Sequence, residues 1–324
     1  MNLSYLARLF CLCLAAFFLV HAALGLAVAG SARWAVRIAS RLAPVHGARL
    51  LFALRMFPAA FALFVVAGLC TPSYLYLEPK GEPEEMGLAC MAAALMGLAV
   101  WGRSIARGTR ALVRSARHIR QCREQSREMR LAGERMAAWV VDGDAACVML
   151  TGLFRPRVVI SRNVVAALSA EQLSAVIRHE RAHGISRDNL KRLLVLLAPG
   201  MLPFASGFRN LERAWAKISE WAADDLAAAG KTRRSLSLAA ALVHVARLGS
   251  TAPALATSLM AEGADLSERV DRLLRPARYT ARRHDREPIL MASAGLLLTG
   301  ALIAVMAHPV TLHSAHECLE FLIQ

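Results

Sequence analysis

Two histidines and a glutamate in the run His179-Glu180-Arg181-Ala182-His183 have the types and spacing for metal-dependent hydrolysis. At i and i+4 on a helix both imidazoles share one face, about one turn apart, where they can hold a single Zn²⁺. Glu180 is turned aside from that face and can serve as the base that takes a proton from water. A catalytic zinc needs a third protein ligand and keeps a fourth position open. Glu220, 37 positions after His183 and on a separate helix, is the candidate. Asp224 lies one turn beyond Glu220 on the same face, spaced to accept the free N–H of a ligating histidine and so fix its tautomer. H-E-x-x-H alone arises by chance in many proteins, and the E-x-x-x-D downstream sharpens it. The bland alternative, three ordinary polar residues on a helix face, leaves them unexplained beside Val176 and Ile177.

These side chains need elements to position them. Ser169-Ala170-Glu171-Gln172 has the form of a capping box, so a helix is expected from Ala170 to about Gly184. Further helices are expected over about Phe208 to Ala229, closed by Gly230, then Arg234 to Leu248 and Leu266 to Leu274. Ahead of the motif, Ala137 to Val141, Cys147 to Leu150 and Arg157 to Ile160 read as strands. Asp142-Gly143-Asp144 marks a turn after the first.

The rest of the chain reads as membrane. It has 324 residues, 56% of them apolar, with a formal charge of +15. Its mean hydropathy is +0.41. Such apolar content excludes a disordered chain, and combined with the basic excess it points to membrane spans joined by basic segments. Runs long enough to span, or nearly so, are Leu9 to Ala29, Leu50 to Leu69, Met86 to Trp101 and Ile289 to Ala307. The first is long, with Arg8 as its one early charge, and reads as a retained span rather than a cleaved signal. Leu193 to Ala205, broken by Pro199, Gly200 and Pro203, reads as a buried or membrane-grazing hairpin. Ser31 to Arg49 carries four arginines and no acid, while Thr71 to Glu85 carries four glutamates against one lysine. The basic segments are expected on the cytoplasmic side, with both termini outside. The expected organisation is three membrane helices in 1–102, a cytoplasmic domain in 103–287, and a fourth span with a short external tail in 288–324.

Arg103, Arg107, Arg110, Arg114 and Arg117 share one narrow helical face. Such a stripe attracts anionic headgroups of the lipid bilayer or merely sets topology; no module for direct nucleic-acid binding accompanies it. The seven cysteines are scattered, with no C-x-x-C, so neither a thiolate zinc site nor a disulfide framework is expected. His308, His313, His316, Glu317 and Cys318 form a ligand-rich tail whose default reading is a disordered terminus. Sparse lysine with abundant arginine and alanine suggests a GC-rich bacterial genome, hence a bacterial inner membrane.

The run Gly152-Leu153-Phe154-Arg155-Pro156-Arg157-Val158-Val159-Ile160, then His179 to His183 continuing to Arg187-Asp188, then Glu220 to Asp224, resembles the BlaR/MecR-type antirepressor family of membrane zinc metallopeptidases. There is a more distant likeness to the HtpX and CAAX-protease type. Arg269-Val270 with Leu273-Leu274 resembles the family's closing motif.

The resemblance implies a mainly α chain: four transmembrane helices plus a cytoplasmic α+β gluzincin domain with a small β-sheet. It implies zinc held by His179, His183 and Glu220, with Glu180 as base and then acid. The strand at Val158 to Ile160 would hold a peptide substrate by edge pairing. Asp188 would support the active helix or a zinc ligand. Arg269 would face the site and stabilise an oxyanion, or form a surface salt bridge. The substrate it implies is a protein, either a transcriptional repressor or, as in the distant relatives, damaged membrane protein. A non-catalytic receptor or scaffold with structural zinc is the competing class, and Glu180 argues against it, since a structural site needs no base. The family's receptors carry an external penicillin-binding sensor after the last span. Here His308 to Gln324 follow, and the chain has no S-x-x-K, so direct β-lactam sensing is not expected.

Overall fold

The computed structural model describes residues 3–77, 86–129, 138–142, 147–200, 206–248, 257–258, 263–275 and 308–323. Three stretches are helical, long and apolar enough to cross a membrane: Tyr5–Ala39, Pro44–Leu77 and Leu88–Glu124. The fourth expected run, Ile289 to Ala307, lies outside the described residues.

Helix α1 (Leu3–Ala39) packs against both α2 (Pro44–Val65) and α4 (Leu88–Gln125). Pro44 opens α2, where its missing N–H costs nothing. A π turn (Val66–Cys70) then leads into α3 (Thr71–Leu77). Glycines let the backbones approach: a Cβ on Gly47 would stand 2.5 Å from the Ala39 carbonyl oxygen, and one on Gly97 2.6 Å from that of Leu14.

The third expected span and the arginine stripe form one continuous helix, α4, which runs through residue 102 without a break. Ser104, Gly108, Ala111 and Cys122 face inward, while Arg103, Arg110, Arg114 and Arg117 are exposed. Arg107, at the edge of the stripe, turns in and donates to the Ala198 carbonyl at 3.5 Å.

Four short strands, β1 (Ser126–Met129), β2 (Ala138–Val141), β3 (Val148–Thr151) and β4 (Arg157–Ser161), with the two-residue β5 (Thr257–Ser258), pair in the order β1-β2-β4-β3-β5. Only the β2–β4 pairing is parallel. This corrects the expectation that Val158 to Ile160 offer a free edge. Val158 pairs with Ala138 on one side and Leu150 on the other, and Val159 and Ile160 are likewise flanked by β2 and β3, so this run has no free edge. The side of the sheet beside the motif helix ends in the two-residue β5, which lies antiparallel on Met149 and Leu150 of β3.

Helices α5 (Arg162–Ala167), α6 (Ala170–Ser186), α7 (Asp188–Leu197), α8 (Ser206–Ala228), α9 (Thr232–Leu248) and α10 (Gly263–Leu274) complete the domain. Its core sets Val148, Leu150, Val158 and Ile160 of the sheet against Val176 and Ile177 of α6 and Leu238 and Leu242 of α9. A second core joins domain to membrane helices: Leu211, Trp215 and Ile218 of α8 pack on Val28, Ala32 and Ala35 of α1 and Leu51 of α2. The expected hairpin at 193 to 205 begins as α7, whose Leu193, Leu196 and Leu197 cluster with Ala111 and Leu112 of α4.

The expected disordered tail is instead helical: α11 (Pro309–Ile323) packs on α3 and the π turn.

Candidate metal centre

Helix α6 begins at the expected capping box. Ser169 accepts the Gln172 backbone N–H at 3.3 Å, and the Gln172 side chain accepts the Ser169 N–H at 3.0 Å. The register carried from that start turns His179, Glu180 and His183 inward, each 0% exposed. Helix α8, packed on α1, α2 and α6, brings Glu220 and Asp224 to the same place, both buried.

The two Nε2 atoms of His179 and His183 face each other at 3.2 Å. Glu220 closes the triangle, with Oε2 3.4 Å from His179 Nε2 and Oε1 3.5 Å from His183 Nε2. All three candidate ligand atoms lie within 4.8 Å of one another. The other ring nitrogens are engaged behind: His183 Nδ1 with Asp188 Oδ2 at 2.7 Å, and His179 Nδ1 with Asp224 Oδ1 at 3.0 Å. With His183 Nδ1 bonded to Asp188 and His179 Nδ1 close to Asp224, the deprotonated Nε2 atoms would direct both lone pairs at one spot.

The donor set fits a divalent metal. Two imidazole nitrogens and a carboxylate converge where a mutual hydrogen bond could satisfy only part of the set. Both Glu180 carboxylate oxygens are buried without a hydrogen-bond partner, an expensive arrangement that a charged ligand and its water would relieve.

Asp188 owes its place to a sharp corner. Arg187 adopts a left-handed conformation (φ 54°), ending α6 and starting α7, so Asp188 returns to His183 after only five residues. The next residue, Asn189, donates to the carbonyls of Leu150 (2.9 Å) and Gly152 (3.1 Å), tying α7 to β3. Sequence reasoning passed over Asn189; its position immediately after Asp188 was the available signal.

Arg269 of α10 is buried, 1% exposed, which excludes the surface salt bridge. Its Nε and Nη2 donate to Asp224 at 2.9 and 2.8 Å, and its Nη1 lies 3.3 Å from Glu220 Oε2. It therefore stands behind the ligand carboxylate. Arg192 of α7 lies 3.9 Å from Glu220 Oε1, a further charge that the motif did not announce.

The electrostatics follow from these contacts in the metal-free state. Burial opposes the charged form of His183, but the Glu220 charge and the Asp188 hydrogen bond prevail and lift its pKa to about 10. Burial likewise opposes His179⁺, and contacts with Asp224 and Glu220 still raise it. Burial alone would push Glu220 up; His183 and Arg269 hold it well below the ordinary carboxylate range. Asp224, also against burial, is drawn down to about 2 by Arg269. Glu180 goes the other way: burial raises it, and the nearby cations do not compensate.

A family model described as BlaR1 peptidase M56 matches residues 79–273, a stretch that holds every residue of this cluster. Among curated proteins no match is found.

Proposed function

The chain belongs to the BlaR1 peptidase M56 family, and from that premise we propose that it is an integral-membrane zinc endopeptidase that cuts a protein substrate on the cytoplasmic side. The observation that carries the reading is the convergence of His179, His183 and Glu220 beside the buried, unpartnered Glu180.

His179, His183 and Glu220 hold the metal. When bound, zinc supplies Lewis acidity, polarising the scissile carbonyl and making water more acidic. Glu180 takes the proton of the attacking water on its carboxylate and returns it to the departing amine. Its raised pKa suits both halves of that exchange. Asp188 and Asp224 hold the two imidazoles in the tautomer that leaves Nε2 free. Arg269 keeps Glu220 and Asp224 ionised and aimed, a positioning task that its three contacts favour over direct contact with an oxyanion.

The membrane arrangement is supported by geometry. The C-terminal end of α1 and the N-terminal end of α2 both pack on α8, so the domain gathers at the end of the helix bundle rich in arginine. That end is assigned to the cytoplasm by the positive-inside rule, in a multi-pass protein of the bacterial inner membrane. The domain division at 102/103 and 287/288 is kept, with α4 as a rigid connection. The substrate favoured by the family resemblance is a transcriptional repressor. Because β4 lies between β2 and β3, and β3 between β4 and β5, a substrate held as an added strand would need an outer strand, β5 on the side of the motif helix.

The test is Glu180→Gln in the full chain reconstituted in lipid. Zinc should stay bound while peptide hydrolysis falls by about 10²- to 10⁴-fold, the range for loss of a general base. Unchanged hydrolysis with zinc bound would overturn the reading.

A further inference from the structure

Arg55 is the charged residue inside the second expected span, and it is 2% exposed. A guanidinium so buried is costly unless paired, and charged residues within spans are seldom idle. Here every group of its fork is used. Nε donates to Glu212 Oε1 of α8 at 2.6 Å. Nη1 reaches the Pro199 carbonyl at 3.4 Å, and Nη2 those of Val195 and Ala198, both at 3.3 Å. The guanidinium also lies over the Phe208 ring, 4.6 Å from its centroid. One cation of α2 thus caps the last carbonyls of α7, where the helix dipole favours positive charge, and pins the first half of α8. Arg107 of α4 adds a second donor to the Ala198 carbonyl.

The two helices held there are the two that complete the metal centre. Helix α7 begins at Asp188, which holds His183; α8 carries Glu220 and Asp224. At about 1.5 Å per residue, Val195 is roughly 10 Å from Asp188 and Glu212 roughly 12 Å from Glu220 along continuous helix. Displacing the clamp would shift both His183's partner and the third ligand.

We infer that Arg55 is a positioning residue of the metal centre: from within a membrane helix it locks the α7 C-terminus to α8, so that the placement of α2 sets the alignment of Asp188 and Glu220 on the metal. The inference rests on the proposed metallopeptidase reading for its consequence in catalysis, but its first consequence is metal affinity, which needs no substrate. It also makes α2 an element through which movement in the membrane would reach the site.

The experiment compares Arg55→Met, Arg55→Lys and Leu51→Ala with wild type, as full chains in lipid nanodiscs. Leu51 packs in the cluster that joins α1, α2 and α8, which includes no α7 residue, so it reports generic loosening. Zinc affinity is read by competition with a chelator, and ligand geometry by the visible spectrum of the cobalt-substituted protein. Arg55→Met is expected to weaken zinc about 10-fold or more, in the range for loss of a ligand's supporting contacts. It should also lower kcat by up to about 10²-fold with little change in KM. Arg55→Lys should rescue part of the loss, since lysine keeps the charge without the fork. Leu51→Ala should lower the melting temperature while leaving the cobalt spectrum as in wild type.

An Arg55→Met protein with wild-type zinc affinity and cobalt spectrum overturns the inference; so does Leu51→Ala shifting both as much as Arg55→Met. If Arg55→Met does not fold, Arg55→Met with Glu212→Met, which leaves no buried charge unpaired, carries the same test with the same expected losses. Wild type that binds zinc but cuts no peptide defeats the proposed function alone, and the affinity series still decides the role of Arg55.

Discussion

Asp188 meets Nδ1 of His183 at 2.7 Å across the corner between α6 and α7. The contact fixes which ring nitrogen would face a bound metal and would make that nitrogen a better donor. Asp188→Ala should therefore weaken zinc by about 10- to 100-fold while leaving the helices intact. Chelator competition alongside far-ultraviolet circular dichroism checks this. Affinity within twofold of wild type would show that packing alone orients the ring.

The facing charges of the site give its pH behaviour a sign. In the metal-free protein His183 is lifted from 6.5 to about 10. Its stabilisation is fully present below about 6.5 and is lost as pH rises through about 10. Asp224, drawn down to about 2, contributes above its ordinary value of 3.8 and is lost as pH falls through about 2. Glu220 follows the same direction. Glu180, raised by burial, subtracts stability as pH climbs above its ordinary 4.5, so the metal-free chain should be most stable at about 4.5 and decline toward alkaline pH. Zinc must displace the proton from His183, so its apparent affinity should rise by about tenfold per pH unit for each proton displaced as pH rises from neutral. Zinc titrations at pH 7, 8 and 9 test the slope, and a flat or falling series would contradict it.

Arg269 is the buried counter-charge for two carboxylates. Arg269→Ala leaves Asp224 without its bidentate partner in the interior and should cost about 3–5 kcal/mol in unfolding free energy. Arg269→Lys should recover only part, because a point charge cannot replace the fork. Denaturant unfolding of the metal-free proteins measures both; a loss under about 1 kcal/mol for the alanine variant would make the network dispensable.

The junction of α1 and α2 is as tight as the site it supports. Gly47→Ala would set a Cβ 2.5 Å from a backbone oxygen of Ala39. Neither backbone can yield locally, so the helices must separate, at about 1–3 kcal/mol. A thermal melt should show the drop, and an unchanged melting temperature would mean that the helices approach less closely than described.

Much of the site could be read before any coordinates, because its signals are local. The capping box at Ser169 and Gln172 fixed the start of α6, and helical periodicity then put His179 and His183 on one face. The strands at β2, β3 and β4 and the helices α8, α9 and α10 lie within a few residues of their expected bounds. What stayed hidden depends on distant partners. Arg55 and Glu212 are 157 positions apart, and nothing periodic links them. The strand order that buries β4 between β2 and β3 is likewise a choice among pairings that alternation cannot make. Asn189 and the corner at Arg187 were missed because a left-handed residue there is not glycine. The continuity of α4 was missed because apolar and arginine-rich stretches differ in composition while sharing one helical backbone.

The most direct measurement is the metal content of the purified full chain after dialysis against trace zinc. Wild type and Glu180→Gln should each hold one zinc per chain, and His183→Ala and Glu220→Ala should hold almost none. A wild type without metal, or a Glu220→Ala protein as full as wild type, would contradict a centre built from these two helices.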